Sequence, residues 1–255
     1  MYAGLMNKVE NILIFGKHPV REALLYRSEV VKRVYLTEEA RGGEIEELAR
    51  KVGLPPTGFE MGKPPRGVLP PEVHQGALAE IDISLLVLDY GDWIAELNVT
   101  EETAVVVLGE VQDPHNVGAV IRSAGAFGIA AVLIPEHNQA PISSAVAKVS
   151  AGMVFRVPIV SITNVNEALR DLKDRRFWVY GLAGDGANDL YREKFDAPAV
   201  FVLGGEHHGV REKTRETCDI MLRIPMHERA ESLNVAVSAG IVFSRWASEH
   251  RGAIL

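Results

Sequence analysis

Residues 104–255 alternate between short apolar runs and stretches with helical periodicity. The apolar runs read AVVVLGEV, IAAVLIP, FWVYGLA, AVFVLGGE and MLRIPM. Helical patterns fill the intervals, at 117–127, 143–152, 166–174, 210–217 and 234–249. Continuously apolar strands separated by helices are typical of a parallel sheet that is covered on both faces. The pattern therefore predicts an α/β domain with a parallel sheet over 104–255.

The first 82 residues form a smaller alternating pattern. Three runs, NILIFG, VKRVYLT and QGALAEID, predict strands, and KHPVREALLYR and GEIEELARKVG between them predict helices. A loop rich in Pro and Gly occupies 53–71. This order predicts a small βαβαβ domain over 1–82. Residues 83–103, which contain a short apolar run and a short helix, are expected to link the two domains.

Composition narrows the class of protein. The chain has 255 residues, of which 47% are hydrophobic and 24% charged, as in a soluble globular protein. Cys218 is the only cysteine, so no intrachain disulfide can form and a reducing cytoplasm is expected. No apolar run approaches the roughly 20 residues that span a bilayer, and the N-terminus lacks the pattern of a secretory signal. We therefore expect a cytoplasmic protein with no membrane partner.

The net charge of −7 does not by itself suggest a nucleic-acid partner. The charge is uneven, however, because residues 1–80 contain 11 Lys or Arg and 11 Asp or Glu. All of the excess negative charge therefore lies in the remainder of the chain. Any contact with RNA must use local clusters of basic residues rather than the field of the whole protein.

Three polar loops follow three of the apolar runs, and α/β proteins bind ligands at the carboxyl ends of parallel strands. The first loop leads into DPHNVGAVIRSAGAFG, where Asn116 can cap the following helix. Arg122 lies among small residues, which predicts that it is buried. Arg122 could have a structural role, with its aliphatic stem packed and its guanidinium paired with a carboxylate, about as well as a functional one.

The second loop, LGGEHHGV, contains Gly204 and Gly205, which let backbone amides approach a ligand or simply form a tight turn. His207 and His208 have no Cys or His partners at zinc-binding spacing, so no metal is expected. In the third loop, IPMHERAESLNV, Ser232 is a possible N-cap. The chain contains no G-x-G-x-x-G fingerprint, phosphate-binding loop or nucleophile elbow, which disfavours a nucleotide-dependent oxidoreductase.

Together, DPHNVGAVIRSAGAFG, FVLGGEHHGV and IPMHERAESLNVAVSAGI resemble the three motifs of the SpoU (TrmH-type) RNA 2′-O-ribose methyltransferase family, in the SPOUT superfamily. The leading module, with HQGALAEI at its end, is similar to the ribosomal-protein-like RNA-binding domain of two-domain members. The resemblance implies a C-terminal α/β domain with a deep trefoil knot and a homodimer. It further implies that S-adenosyl-L-methionine is the cofactor and that S-adenosyl-L-homocysteine is its product.

The resemblance also assigns residues to roles. The catalytic positions it implies are Asn116, Arg122, Glu206, Ser232 and Asn234. The cofactor-binding positions it implies are Leu203, Gly204, Gly205, Ile224, Met226, Ser232 and Leu233. For RNA binding, the candidates are the basic residues of the leading module: Lys17, His18, Arg21, Lys32, Arg33, Lys63 and Arg66. Each of these basic residues is equally compatible with ordinary solvated surface.

The implied reaction is methylation of a ribose 2′-oxygen, with a guanosine in 23S rRNA as the first choice of target. A tRNA or another rRNA site, or a non-catalytic RNA-binding role in ribosome assembly, are the alternatives. Arginine keeps its proton at neutral pH, so we interpret Arg122 as a clamp that stabilises charge near the 2′-oxygen rather than as the base. The chain departs from the family pattern at His207, His208 and Phe155, where relatives commonly have glycine or glutamate.

Overall fold

A computed structural model of the chain describes residues 11–60, 74–205 and 208–254. The strands in these ranges are β1 (Asn11–Phe15), β2 (Val31–Leu36), β3 (Thr57–Gly58), β4 (Ala77–Asp82), β5 (Val87–Asp89), β6 (Ala104–Gly109), β7 (Ala131–Pro135), β8 (Ile159–Ile162), β9 (Trp178–Leu182), β10 (Asn188–Asp189), β11 (Ala199–Gly204) and β12 (Ile220–Arg223). The α-helices are α1 (Lys17–Tyr26), α2 (Glu44–Lys51), α3 (Tyr90–Glu96), α4 (Pro114–Ala126), α5 (Ser144–Val149), α6 (Val165–Asp174), α7 (Glu212–Arg215) and α8 (Val235–Glu249).

The chain forms two compact units, and the first contains residues 1–87 together with 142–156. Its sheet has the strand order β1-β4-β2-β3, in which β4 pairs antiparallel with both β1 and β2. The β4 sequence ALAEID is almost entirely buried, as expected for a central strand. The predicted strands and helices of the leading module are therefore present, with the short strand β3 added at the sheet edge.

Residues 142–156, which the sequence assigns to the second domain, complete the first unit. Helix α5 contacts β1, and Lys148 lies over the ring of Phe15 at 5.2 Å. Phe155 is 2% exposed. Gly152 has φ +82°, and a Cβ there would lie 2.7 Å from the Glu22 side chain, so only glycine permits this close approach to α1.

The second unit contains residues 88–141 and 157–255, and it is built on an eight-stranded sheet of order β10-β12-β9-β11-β6-β7-β8-β5. Neighbouring strands from β10 to β8 are parallel. One face of the sheet packs against α3 and α6 in a core that includes Trp93 and Leu169. On the other face, the ring of Phe201 contacts Phe243 of α8. Both faces are covered, as the continuously apolar strands predicted.

The parallel α/β architecture is confirmed, and several details differ from the prediction. Strand β8 adds a member between β7 and β5 that the apolar pattern did not identify. Residues 83–103, the predicted linker, include β5 and α3, and Trp93 and Ile94 are buried. The division at 1–82, 83–103 and 104–255 and the trefoil knot stay predictions. None of the described helices has both the length and the apolar character needed to cross a membrane.

Candidate functional site

A cavity of about 470 Å³ opens at the carboxyl edge of the sheet in the second unit. The ends of β9, β11 and β12 form one side of it, and the beginnings of α4 and α8 contribute to the other. Parallel strands bring loops that are distant in sequence to one edge of a sheet, which is where α/β proteins bind ligands. The cavity therefore unites the three loops that the sequence singled out.

Every residue predicted to bind the cofactor lines this cavity: Leu203, Gly204, Gly205, Ile224, Met226, Ser232 and Leu233. Three of the predicted catalytic residues line it as well: Asn116, Asn234 and Ser232, the last of which is in both predicted sets. The roles of these residues stay predictions, whereas their shared location is a structural fact. The lining combines apolar side chains with polar groups, which suits a ligand with an apolar body and polar ends.

Asn234 has two structural functions at the start of α8. Its Oδ1 accepts hydrogen bonds from the backbone N–H groups of Ala236 at 2.8 Å and Val237 at 3.3 Å, so Asn234 is the N-cap. Its Nδ2 donates to Oδ1 of Asn116 at 2.9 Å. The cap fixes the orientation of the amide, and the amide then orients Asn116. Ser232 lies outside the helix, so its suggested role as the N-cap is wrong.

The beginning of α4 explains why Asn116 is available for this bond. The side chain of Asp113 accepts from the backbone N–H of His115 at 2.8 Å and caps the helix, and Pro114 occupies the first turn. The prediction that Asn116 caps the helix is therefore wrong. Asn116 lies inside the helix, where its side chain can face α8.

Arg122 lies six positions after Asn116 on α4, and it is exposed rather than buried as predicted. The side of α4 that faces the sheet consists of Val117, Val120, Ile121 and Ala124, which are fully buried. A spacing of six residues separates two side chains by about 9 Å along the helix axis and points them in different directions. Arg122 is consequently not among the described residues that line the cavity of its own chain.

Gly204 and Gly205 allow the second loop to fold tightly beside the cavity. A Cβ on Gly204 would lie 1.9 Å from the carbonyl carbon of Gly209, and one on Gly205 would lie 2.8 Å from the Glu110 oxygen. The backbone N–H of Gly209 donates to the oxygen of Gly205 at 2.9 Å. Any side chain at these two positions would force the loop open.

The sequence interpretation missed one wall of the cavity, which Leu182, Ala183 and Gly184 form. These residues directly follow the apolar run of β9, so the rule that located the other three loops could have identified them. Gly184 is exposed, and a Cβ there would meet only the Glu231 oxygen, at 3.9 Å. Its backbone is open to a ligand. Other lining residues that were not predicted are Gly209, Leu222, Glu231, Val235 and Ser238.

Several predicted residues lie outside the described part of the chain: Glu206, His207, Lys63 and Arg66. His208 is described and exposed. Among the described residues, no group of three or more His, Cys, Asp or Glu side chains could hold a metal ion. Phe155, the third departure from the family pattern, is buried in the first unit.

The basic candidates of the first unit differ in their surroundings. Lys17, His18 and Arg21 line a second cavity, of about 350 Å³, beside the start of α2. The Arg21 guanidinium donates to Glu44 and Glu22, both at 2.8 Å, and the hydrogen bond with Glu44 raises the pKa of Arg21.

On the sheet of the same unit, Lys32 pairs with Asp82 at 3.4 Å. A hydrogen bond from Ser84 and the contact with Lys32 lower the pKa of Asp82, although its burial opposes the shift. Arg33 is exposed. The ion pairs of Arg21 and Lys32 reduce their free positive charge, so Lys17 and Arg33 are the stronger candidates for phosphate contacts.

Comparison with known proteins identifies both parts of the chain. Residues 103–244 match the model of the SpoU rRNA Methylase family, which covers more than half of the chain. Residues 13–54 match the model described as RNA 2′-O ribose methyltransferase substrate binding. The two matches fall in the second and first units respectively, apart from the inserted segment 142–156.

Curated relatives extend over nearly the whole chain. The 23S rRNA (guanosine-2′-O-)-methyltransferase RlmB of Xanthomonas axonopodis pv. citri is 36% identical over 253 residues, which are 96% of this chain and 99% of the relative. The protein of the same name from Vibrio parahaemolyticus is 33% identical over 239 residues, 91% of this chain and 95% of the relative.

Two solved structures share the fold. The SpoU methyltransferase AviRb from Streptomyces viridochromogenes, in complex with AdoMet, has a TM-score of 0.77 at 22% identity and covers 94% of this chain and 91% of its own. An AdoMet-bound rRNA methyltransferase from Sinorhizobium meliloti has a TM-score of 0.75 at 20% identity and covers 93% and 87%. Together with the family model and the relatives, the three motifs that meet at one cavity establish that the chain belongs to the SpoU rRNA methylase family.

Proposed function

We propose that the protein transfers a methyl group from S-adenosyl-L-methionine to the ribose 2′-oxygen of a guanosine in 23S rRNA. The observation that carries this proposal is the convergence of the three motif loops on one cavity, with Asn116 and Asn234 joined across it. The curated relatives are named for this reaction on 23S rRNA. A single cysteine is consistent with action in the cytoplasm.

The residues of the cavity fit this cofactor. A volume of about 470 Å³ lies within the roughly 300–1,000 Å³ of small-molecule sites. Leu203, Ile224 and Leu233 provide apolar surface for a heterocycle, and the open backbone of Gly184 provides polar groups for the ends of the ligand. When bound, the cofactor supplies a methyl group that its cationic sulfur has already activated.

The chain's task is then to align the acceptor oxygen and to stabilise it as it loses its proton. Asn116 and Asn234 form a rigid pair at the edge of the cavity, which suits them to position the ribose. Ser232, exposed just before Asn234, offers a hydroxyl on the same side. These polar groups act by orientation, since none of them is a strong base.

Arg122 serves as a charge-stabilising clamp in this mechanism. Arginine presents five N–H donors in a planar fork and keeps its proton, so it suits a phosphate or a developing oxyanion better than a base would. The proton of the 2′-hydroxyl leaves to the neighbouring phosphate or to water. The guanidinium lowers the energy of the negative charge that remains on the oxygen.

The exposed position of Arg122 favours a homodimer in which this residue acts in the partner's site. Arg122 is on the side of α4 that faces away from the sheet, and Val237 of α8 is 50% exposed on a neighbouring helix. Apolar side chains exposed beside a charged functional residue suit a contact between two copies of the chain. The first unit binds RNA through exposed basic residues such as Lys17 and Arg33.

The proposal is tested by mapping 2′-O-methylated nucleotides in total RNA from cells with and without the protein. We expect one guanosine of 23S rRNA to lose its methyl group when the protein is absent, and to regain it when the gene is restored. Methylation that changes only in tRNA would contradict the choice of target. An unchanged map would contradict methyl transfer to RNA altogether.

A further inference from the structure

A second cleft lies at the same edge of the sheet, above the ends of β6, β7, β8 and β11. Its polar lining consists mainly of Glu110, His137, Asn138, Asn164, Asn166 and Arg211. We propose that this base cleft receives the base of the target nucleotide and recognises the 2-amino group of guanine. The inference rests on the proposed methyl transfer to guanosine and adds the residues that select the base.

The size and floor of the base cleft suit a flat heterocycle. Its volume is about 230 Å³, below the roughly 300 Å³ at which sites for drug-sized ligands begin. Val165 is partly exposed and provides apolar surface, the buried Val202 and Val210 also line the cleft, and the remaining lining is mostly polar. A purine base has the same distribution, with apolar faces and hydrogen-bonding edges.

Asn166 supplies the acceptor that this inference requires. Asn166 is partly buried and lines the cleft, and its Oδ1 is enclosed by protein, with no hydrogen-bond partner among the described residues. A buried acceptor without a partner is destabilising. A rotation of the Asn166 side chain that turns this oxygen into the cleft lets it accept from a ligand N–H, and guanine offers donors at its ring N1 and its 2-amino group.

Arg211 supplies hydrogen-bond donors on the base cleft, where Asn166 supplies an acceptor. Its Nε and Nη2 donate to the two carboxylate oxygens of Glu110 at 2.9 and 2.7 Å, which leaves the Nη1 hydrogens unused by this pair. Nδ2 of Asn138 also donates to Glu110, at 3.3 Å. Arginine is a common partner of the O6 and N7 acceptors of guanine. The base cleft therefore combines the acceptor of Asn166 with a donor that Glu110 holds in place.

Two residues of the base cleft have backbone conformations that side chains disfavour. Glu110 has φ 64° and Asn138 has φ 58°, and neither is glycine. Such conformations cost energy, so the surrounding structure must hold them. Here both residues contribute to the Glu110–Arg211–Asn138 group, whose hydrogen bonds hold the polar edge of the base cleft in place.

The base cleft adjoins the cavity proposed for the cofactor, since Gly204 and Gly209 line both. In a nucleotide the base is attached to C1′, which is bonded to the C2′ that carries the acceptor oxygen. A pocket for the base must therefore lie next to the site of methyl transfer. Both shared residues are glycines, which place no side chain between the two cavities.

The test is the single-turnover rate of methyl transfer to an RNA fragment that carries either guanosine or inosine at the mapped position, with saturating S-adenosyl-L-methionine. Inosine lacks only the 2-amino group. We expect inosine to slow the wild-type protein by about tenfold or more, because it lacks the 2-amino group that donates to the Asn166 acceptor. Asn166→Ala should slow transfer to guanosine and bring the two rates within about twofold.

Two further variants make the test specific. Asn166→Asp retains an acceptor oxygen and should retain the preference for guanosine. Asn188→Ala, at an exposed position that lines neither the cofactor cavity nor the base cleft, should leave the ratio of the two rates unchanged. Equal wild-type rates on guanosine and inosine, or a wild-type ratio in Asn166→Ala, would overturn the inference. Failure of the wild-type protein to methylate the guanosine RNA would instead contradict the proposed function and remove the inference with it.

Discussion

Asn234 donates from Nδ2 to Oδ1 of Asn116 across 2.9 Å, although 118 positions separate the two residues in the chain. The same Asn234 side chain caps α8 through Oδ1, which accepts from Ala236 and Val237. One amide therefore fixes the start of a helix and connects the first motif to the third. This double use makes it possible to separate stability from activity by substitution.

Replacing Asn234 by Asp keeps the capping oxygen and removes the donor to Asn116. We expect Asn234→Asp to unfold in urea within about 0.5 kcal/mol of the wild type, because the cap is retained. Its rate of methyl transfer should fall at least tenfold, because Asn116 loses the group that orients it.

Asn234→Ala is the matched comparison, since it removes both the cap and the donor. It should lose about 1 kcal/mol of stability in addition to the activity that Asn234→Asp loses. A wild-type rate in Asn234→Asp would show that the bond to Asn116 has no part in catalysis.

The proposed dimer predicts complementation between two inactive variants. If Arg122 acts in the partner's site, a mixed dimer of Arg122→Ala and Asn234→Ala chains contains one intact site. Mixed dimers should then show about half of wild-type activity, because one of their two sites is intact. The measurement is methyl transfer by co-expressed, differently tagged chains after purification through both tags.

Action of Arg122 within its own chain gives a different result. Each site of the mixed dimer would then carry one substitution, and the purified mixture would stay as inactive as either variant alone. Each variant purified alone provides the baseline, and a monomeric wild-type protein in sedimentation would contradict the dimer itself.

Phe155 should stabilise the first unit even though the sequence assigns it to the second domain. It is 2% exposed, so Phe155→Ala removes a large side chain from a packed interior. We expect a loss of about 3–5 kcal/mol in urea unfolding, with the first proteolytic cuts in residues 1–87 and 142–156. Tyr191→Ala is the control, because Tyr191 is 57% exposed and should matter little. Equal stability of the two variants would refute the role of Phe155.

Cys218 should react slowly with alkylating reagents near neutral pH. Burial and the neighbouring Asp219 raise the pKa of its thiol to about 11, and its Sγ lies 3.2 Å from the carbonyl oxygen of Thr214. The thiolate is the reactive form, so the alkylation rate of the folded protein should keep rising with pH from 8 to 10.

The urea-unfolded chain is the control for Cys218, and its rate should level off near the ordinary thiol value of about 8.5. Because the folded state favours the neutral thiol, the raised pKa of Cys218 contributes to the stability of the fold at pH values below about 8.5. That contribution is lost as pH rises toward 11. A folded-state rate that levels off below pH 9 would contradict the assignment.

The alternation of apolar runs and helices predicted most of the second unit because its strands are buried on both faces. The apolar pattern did not identify β8 because Pro158 precedes this strand and Ser161 interrupts its apolar run. The inclusion of 142–156 in the first unit also could not be predicted. It depends on contacts between segments distant in the chain, such as that of Gly152 with Glu22.

The sequence predicted the site residues that lie at the ends of strands. It was less successful where the role of a residue depends on the direction of its side chain. The exposure of Arg122 follows from its angle on α4 relative to the sheet, which small neighbours alone do not reveal. Asn116 was mistaken for a cap because Asp113, three positions earlier, competes for the same role. Asp and Asn are both favoured at the N-cap position, so the sequence alone could not decide between Asp113 and Asn116. In the structure, Asp113 caps α4.

The most direct test of the central claim is the transfer of tritium from methyl-labelled S-adenosyl-L-methionine to 23S rRNA that was isolated from cells lacking the protein. The purified protein should place label on one guanosine, and nuclease digestion should release it as 2′-O-methylguanosine. Asn234→Ala should abolish this incorporation while it remains folded. Absence of label with the wild-type protein, or label on a base instead of a ribose, would contradict the account.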